Sequence, residues 1–231
     1  MLKLHSVSGR SLLFVKLSML LFLSWGVLGC AGSRNAGPHY VTVRVPPKVD
    51  LTTYEAVGII EFGSNADAAI SRYATERFQS SLQSAQPGTR LVELGTAASV
   101  LAAIGATQID ADAIKKIGTR FGVAAIFQGS IKFSEPKVNV SAIKDLAAAM
   151  GGVRADMRGD MFAKLVETKT AASIWSNSSW ATKQLGGVSV SSDRSIAGTM
   201  GTSNPREEMV PNLVYEVATG LRESTVQRRV Y

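Results

Sequence analysis

The side chains that do most enzymatic chemistry are scarce in this chain. Cys30 is the only cysteine among 231 residues, and His5 and His39 are the only histidines. A serine or cysteine nucleophile needs a base held beside it. His5 lies in a leader-like segment and His39 in the small, polar stretch AGSRNAGPH, so a histidine-based triad has nothing rigid to stand on. Zinc prefers cysteine and histidine; past the leader only Cys30 and His39 remain, nine residues apart at the two ends of a flexible segment, and sites with oxygen ligands stay open.

The carboxylates offer two pairings. Asp110 and Asp112 are close in sequence, but a helix cap and a first-turn acid explain them. Asp156 and Asp160 share one parity on a strand and could place two carboxylates in a cleft. Arg154 and Arg158 have that parity too, which favours a solvated, charge-compensated face. Gly151-Gly152 and Gly186-Gly187 are not followed by the Lys-Ser/Thr of a phosphate loop and read as turns. No catalytic residue, metal or cofactor is expected, and the chain is expected not to be an enzyme. Trp175 and Trp180 are the candidate partner-binding residues. Their odd spacing on a strand points them to opposite faces, one into the core and the other outward, and exposed tryptophan is enriched at binding hot spots.

Cys30 has a different reading. The first sixteen residues carry Lys3, Arg10 and Lys16 and no acid, and Leu17 to Leu28 is an apolar run. Twelve helical residues rise about 18 Å, short of the roughly 30 Å hydrocarbon core, so an export signal is favoured over a permanent transmembrane helix. The exit Val27-Leu28-Gly29-Cys30 resembles the bacterial lipobox, with Leu28 bulkier than usual. The resemblance implies cleavage between Gly29 and Cys30 and acylation of Cys30, and two or more fatty chains anchor stably where one does not. An ordinary cleaved signal or an uncut anchor is the alternative. Ala31 lacks the aspartate that resembles an inner-membrane retention signal, so the outer membrane is expected, with the domain facing the periplasm.

Loss of residues 1–29 removes three positive charges and takes the formal charge from +7 to +4. What remains is mixed rather than blocky, so no nucleic-acid partner is implied. Without a free thiol no disulfide forms, and the core alone must hold the fold. About 200 residues suffice for one well-buried domain.

The elements follow from periodicity. Residues 40–45 alternate and predict a half-buried strand before Pro46-Pro47; EAVGIIEF (55–62) predicts a central strand. Gly63-Ser64-Asn65 reads as a turn and cap for a helix whose Ile70, Ala74, Phe78 and Leu82 form one stripe, with Asp67 in its first turn. A short strand at 90–94, a small helix capped by Thr96, and a helix from Asp110 to Gly122 with Ile114, Ile117 and Phe121 on one face come next. Residues 123–133 predict a strand with a bend or bulge at Gly129. Residues 142–150 are helix-like, 154–167 and 172–183 are strands about a turn at 168–171, and 184–203 reads as an exposed loop or irregular hairpin. Asn204-Pro205 opens a last helix whose start Pro211 is expected to delay. Val210, Val214, Val217 and Leu221 face the core, and Arg228-Arg229 form a basic exit.

IKKIGTRFGVAAIFQGS (114–130) resembles the helix-then-strand signature of envelope lipoproteins related to the curli secretion channel and the penicillin-binding-protein activator lipoproteins. MFAKLVETKTAASIW (161–175) is similar to that group's paired strands about a turn, with Ala171 where glycine is usual. The likeness runs loosely over residues 57–221. It implies a mixed sheet flanked by helices in members that bind envelope proteins or assemble into rings. The expectation is therefore a signal peptide (1–29), a lipidated cysteine and tether (30–39) and a single α/β (α+β) domain (40–231), which binds or scaffolds an unidentified envelope protein and is a possible homo-oligomer. The alternative is a subunit of a curli-channel-like outer-membrane pore, which would need long alternating segments as membrane strands.

Overall fold

In the strand β2 (Val57–Ile60) every residue is buried, which an apolar strand can sustain only at the centre of a sheet covered on both faces. The computed structural model describes residues 39–138, 153–190, 196–200 and 204–230. In it β2 is flanked in parallel by β4 (Leu91–Gly95) and β5 (Ala125–Phe133). The sheet continues antiparallel through β7 (Val153–Glu167), β8 (Ser173–Val190) and β9 (Ile196–Met200), in the order β4-β2-β5-β7-β8-β9. The short β3 (Gly63–Ser64) and β6 (Lys137–Val138) pair with β5 and β7. This is the expected mixed-sheet α+β fold, in a unit spanning Arg44–Val226. Residues 39–43 and 227–230 belong to a second, small unit.

Strand alternation sends neighbouring side chains to opposite faces, and the helices divide accordingly. On one face, α1 (Ala68–Ala85) and α4 (Pro205–Val217) bury a cluster that includes Val57, Ile59, Phe127, Met161, Leu165 and Trp175. Its spine is aromatic: Phe62, Phe78, Phe127 and Trp175 follow one another at centroid distances of 5.0, 5.2 and 6.1 Å. On the other face, α2 (Ala97–Ile104) and α3 (Ala111–Phe121) bury Ile60, Leu94, Ile126 and Val166. That second layer lies over the parallel half of the sheet.

Several local expectations hold with their reasons. Thr96 caps α2 and Asp110 caps α3 through side-chain acceptors, and Gly105 and Gly122 close these helices in the left-handed region. Ile70, Ala74, Phe78 and Leu82 are all buried. Gln86, at the end of α1, is itself buried and joins three segments, accepting from Leu51 N and donating to the carbonyls of Val49 and Leu221.

Other details differ. The cap of α1 is Asp67, which accepts from Ile70 N, and not the 63–65 segment. Asn65 instead exchanges two hydrogen bonds with the Phe133 backbone, standing in for a strand partner. Gly129 is no bulge: β5 and β7 stay in register from Ala125↔Glu167 to Phe133↔Gly159. A Cβ there would lie 2.2 Å from Phe162 O, so glycine is required by close backbone approach.

The strand β1 (His39–Val45) is not half-buried, since residues 40–44 are exposed. It pairs only with β10 (Ser224–Val230), and a two-stranded ribbon does not bury a face by itself. Arg228 and Arg229 thus lie in a strand rather than a loose exit. The last helix starts at Pro205, with Pro211 inside it, because the Asn204 cap and Glu207 and Glu208 in the first turn outweigh one lost backbone bond. Residues 186–190 and 196–200 pair antiparallel, which is the hairpin of the two expected readings. The expected helix at 142–150 and the glycines at 151–152 lie outside the described residues.

Candidate functional site

Short of Val166, which is buried in the cluster under α2 and α3, the outer face of β7 and β8 is the part of the sheet that presents large exposed apolar side chains. On β7, Met157, Met161, Ala163 and Leu165 point inward and are buried. Arg158, Asp160, Phe162 and Lys164 therefore point outward. On β8 the same alternation buries Trp175 and Ser179 and presents Ile174, Ser176, Ser178 and Trp180. Phe162 is 41% exposed and Trp180 64%.

The expected division of the tryptophans is observed. Trp175 packs edge-on against Phe127 in the core, and its indole leaves space above Gly220 for no side chain. It is thereby withdrawn from partner binding as a surface residue. Among the described residues Trp180 is the presented indole.

Trp180 is held by its neighbours. It sits opposite Asp160 in the β7–β8 ladder. The Arg158 guanidinium lies over its ring, 5.0 Å from the centroid. Arg158 also donates from Nε and Nη2 to both Asp160 oxygens at 2.6–3.0 Å. These bonds raise the guanidinium above its ordinary pKa, so the cation is permanent. The pair is well exposed and adds little to stability. Its effect is to limit the rotamers of Arg158 and, through the stacked guanidinium, of the indole.

The acidic candidates resolve in the same geometry. Asp160 is engaged by Arg158 and stands across from Lys132, while Asp156 stands across from Lys137. Four strand residues separate the two carboxylates by about 13 Å along β7, on an open face. Asp110 is the cap of α3, with Asp112 in its first turn. Among the described residues no group of three or more His, Cys, Asp or Glu side chains could hold a metal. Cys30 and Gly29 lie outside the described residues, and His39 is in β1. Among those described, no helix is long and apolar enough to cross a membrane.

Sequence reading did not single out Phe162, Lys164 or the stacking role of Arg158. The signal was there for all three: with Met157, Met161 and Leu165 inward, every even position of this strand segment must face outward. What the sequence did not show was that no described helix lies over Arg158, Asp160, Phe162 and Lys164.

No protein-family model matches the sequence, and no curated protein matches it. Among solved structures, the chain is similar to the PelC dodecamer from Paraburkholderia phytofirmans, at 9% identity and a TM-score of 0.40, covering 80% of this chain and 98% of that chain. It is similar to lipoprotein GNA1162 from Neisseria meningitidis at 16% identity and a TM-score of 0.38, covering 71% and 97%. It is also similar to the LpoB C-terminal domain from Salmonella enterica, at 13% identity and a TM-score of 0.33, covering 59% and 84%. These likenesses are remote in sequence and loose in chain course.

Proposed function

We propose that this chain is a lipid-anchored, non-enzymatic protein of the outer membrane, facing the periplasm, that binds another envelope protein through the outer face of β7 and β8. The observation that carries the reading is Trp180, an indole 64% exposed on a rigid strand and stacked by Arg158. A large, amphipathic ring whose rotamer is already limited loses little entropy on contact, which is why such residues dominate interface energetics. The lipobox at Cys30 supports the anchor, and the resemblance of residues 114–130 and 161–175 to envelope lipoproteins supports the compartment.

Two substitutions test the two halves separately. Cys30→Ser is expected to leave the domain folded and release it from membranes; unchanged retention would remove the anchor. Trp180→Ala is expected to leave anchoring intact and to abolish co-purification of the partner from solubilised envelopes. Undiminished co-purification would remove the binding face.

A curli-channel-like pore subunit is the second reading. It is favoured by the β8–β9 hairpin, whose five-residue ladder extends the sheet where Val188 and Val190 alternate with Ser189. A membrane strand needs about 9–11 residues, and the described ladder is shorter. The pore reading requires a detergent-stable oligomer with residues 184–203 protected from protease. A monomer cleaved within that segment contradicts it.

A further inference from the structure

The ribbon of β1 and β10 has no core of its own. Residues 40–44 and all of 224–230 are exposed, and two strands alone are marginally stable in water. Yet the ribbon is not polar. Of the nine large apolar side chains that the described residues expose, five lie on these two strands: Tyr40, Val41, Val43, Val226 and Val230, at 37–58%. Apolar surface gathered in this way marks contact with something outside the fold.

Charge narrows what that contact is. The strands read HYVTVRV and STVQRRV, with Arg44, Arg228 and Arg229 and no acid. The next carboxylates in sequence, Asp50 and Glu223, lie outside both strands. A second copy of the ribbon would bring like charges together, and charged residues on open strand edges oppose such pairing. An anionic lipid surface fits the combination better. Arginine stems lie along apolar matter with their heads at phosphates, and tyrosine prefers the boundary between the two.

Position points the same way. Cys30 and His39 are nine residues apart, and an extended chain covers at most about 3.6 Å per residue, so β1 begins within about 32 Å of Cys30. The ribbon is therefore the first described element after the lipid attachment site, a setting that rests on the acylated Cys30 of the proposed function.

We propose that the ribbon docks on the anionic phospholipid surface to which Cys30 is attached, with its valines and Tyr40 in the headgroup layer and Arg44 and Arg228 at lipid phosphates. The acyl chains supply retention, and the ribbon holds the β1 and β10 end of the chain against the bilayer. One weak contact does not anchor by itself, so Cys30→Ser still washes from membranes.

The test uses the chain from residue 30 onward carrying Cys30→Ser and Val226→Cys, whose single thiol takes the polarity-sensitive fluorophore NBD. Both core clusters lie between Leu51 and Leu221, so the leader is not needed for the fold. The labelled chain is titrated at low salt with vesicles of equal parts phosphatidylglycerol and phosphatidylethanolamine, and with vesicles of phosphatidylcholine alone. The expected result is a saturable blue shift with the anionic vesicles, reversed by salt, and binding about tenfold weaker or more with the neutral ones. Arg44→Gln together with Arg228→Gln should weaken anionic binding by about tenfold or more. The fluorophore moved to Ser80→Cys, on α1, should stay in water at saturating lipid. No shift with anionic vesicles, equal binding to both kinds, or undiminished binding by the double arginine variant overturns the proposal. So does a shift that grows with protein concentration without lipid, which would mark a second copy as the occupant. Thermal unfolding matching that of the parent confirms that each variant is folded. No acyl chain takes part, so failure here leaves the anchor standing, and fractionation of Cys30→Ser tests the anchor separately.

Discussion

Arg158 touches two groups that make it the organising residue of the outer face: its guanidinium lies 5.0 Å from the centroid of the Trp180 ring and donates to both oxygens of Asp160. Asp160 in turn sits opposite Trp180 across the ladder. The three side chains form a closed set on a surface that also presents Phe162, Lys164, Ile174, Ser176 and Ser178. Arg158→Ala is expected to leave thermal stability nearly unchanged, since the pair is exposed, while weakening partner capture less than Trp180→Ala does. Equal capture by Arg158→Ala and the parent would show that the stacking does not matter.

The two tryptophans five residues apart should behave oppositely. Trp175→Ala empties a buried site against Phe127 and is expected to cost about 3–5 kcal/mol of unfolding free energy. Trp180→Ala should fall within about 0.5 kcal/mol of the parent, as surface substitutions do. Denaturant unfolding of both variants checks this, and similar losses in the two would contradict the assignment of faces.

Ala171 occupies the left-handed region at φ 58°, in the turn joining β7 to β8. A residue with a Cβ is penalised there and glycine is not. Ala171→Gly is therefore expected to stabilise the domain by roughly 1 kcal/mol at most, the loss of a partly buried methyl reducing the gain. A lower melting temperature for this variant would contradict it.

Gly129→Ala should be among the most damaging single-methyl additions. The new Cβ would meet the Phe162 carbonyl oxygen at 2.2 Å; the obstacle is backbone, so β5 and β7 must separate. A loss of about 3 kcal/mol is expected, measured by chemical denaturation, and a neutral outcome would contradict the close approach.

Asp110 accepts the Ala113 amide at 2.8 Å. That bond, with a smaller one from Gln108, holds its carboxyl below the ordinary carboxylate range. A group depressed in the folded state contributes stability that is present above its unfolded pKa and lost as pH falls through the folded value. Asp110→Asn can still cap α3 but cannot titrate. Its melting temperature should therefore fall less than the parent's on acidification below the ordinary carboxylate range, and parallel curves would contradict the linkage.

The sheet, its helices and their caps were legible because each rests on local chemistry. Thr96, Asp110 and Asn204 announce helix starts, and the stripe from Ile70 to Leu82 fixes which side of α1 is buried. Asp67 was readable as an acid but not as the cap, because Asn65 offered the same chemistry two residues earlier and was taken by the Phe133 backbone. Long-range pairing was not legible. Nothing in residues 224–230 alone says that they form a strand with residues 39–45, and nothing at Gly129 separates a bulge from a close approach. The site was half legible: parity placed one tryptophan outward, but the stacking of Arg158 on it depends on the register of β7 with β8.

The most direct test of the central claim is site-specific photo-crosslinking in intact envelopes, with the crosslinker at Ser178, an exposed position on the outer face of β8. A control chain carries it at Ser80, outside that face on α1. The account predicts a discrete crosslinked product from Ser178 that is absent from Ser80 and lost when Trp180→Ala is introduced. The same product from both positions, or one that persists undiminished without the indole, would contradict it.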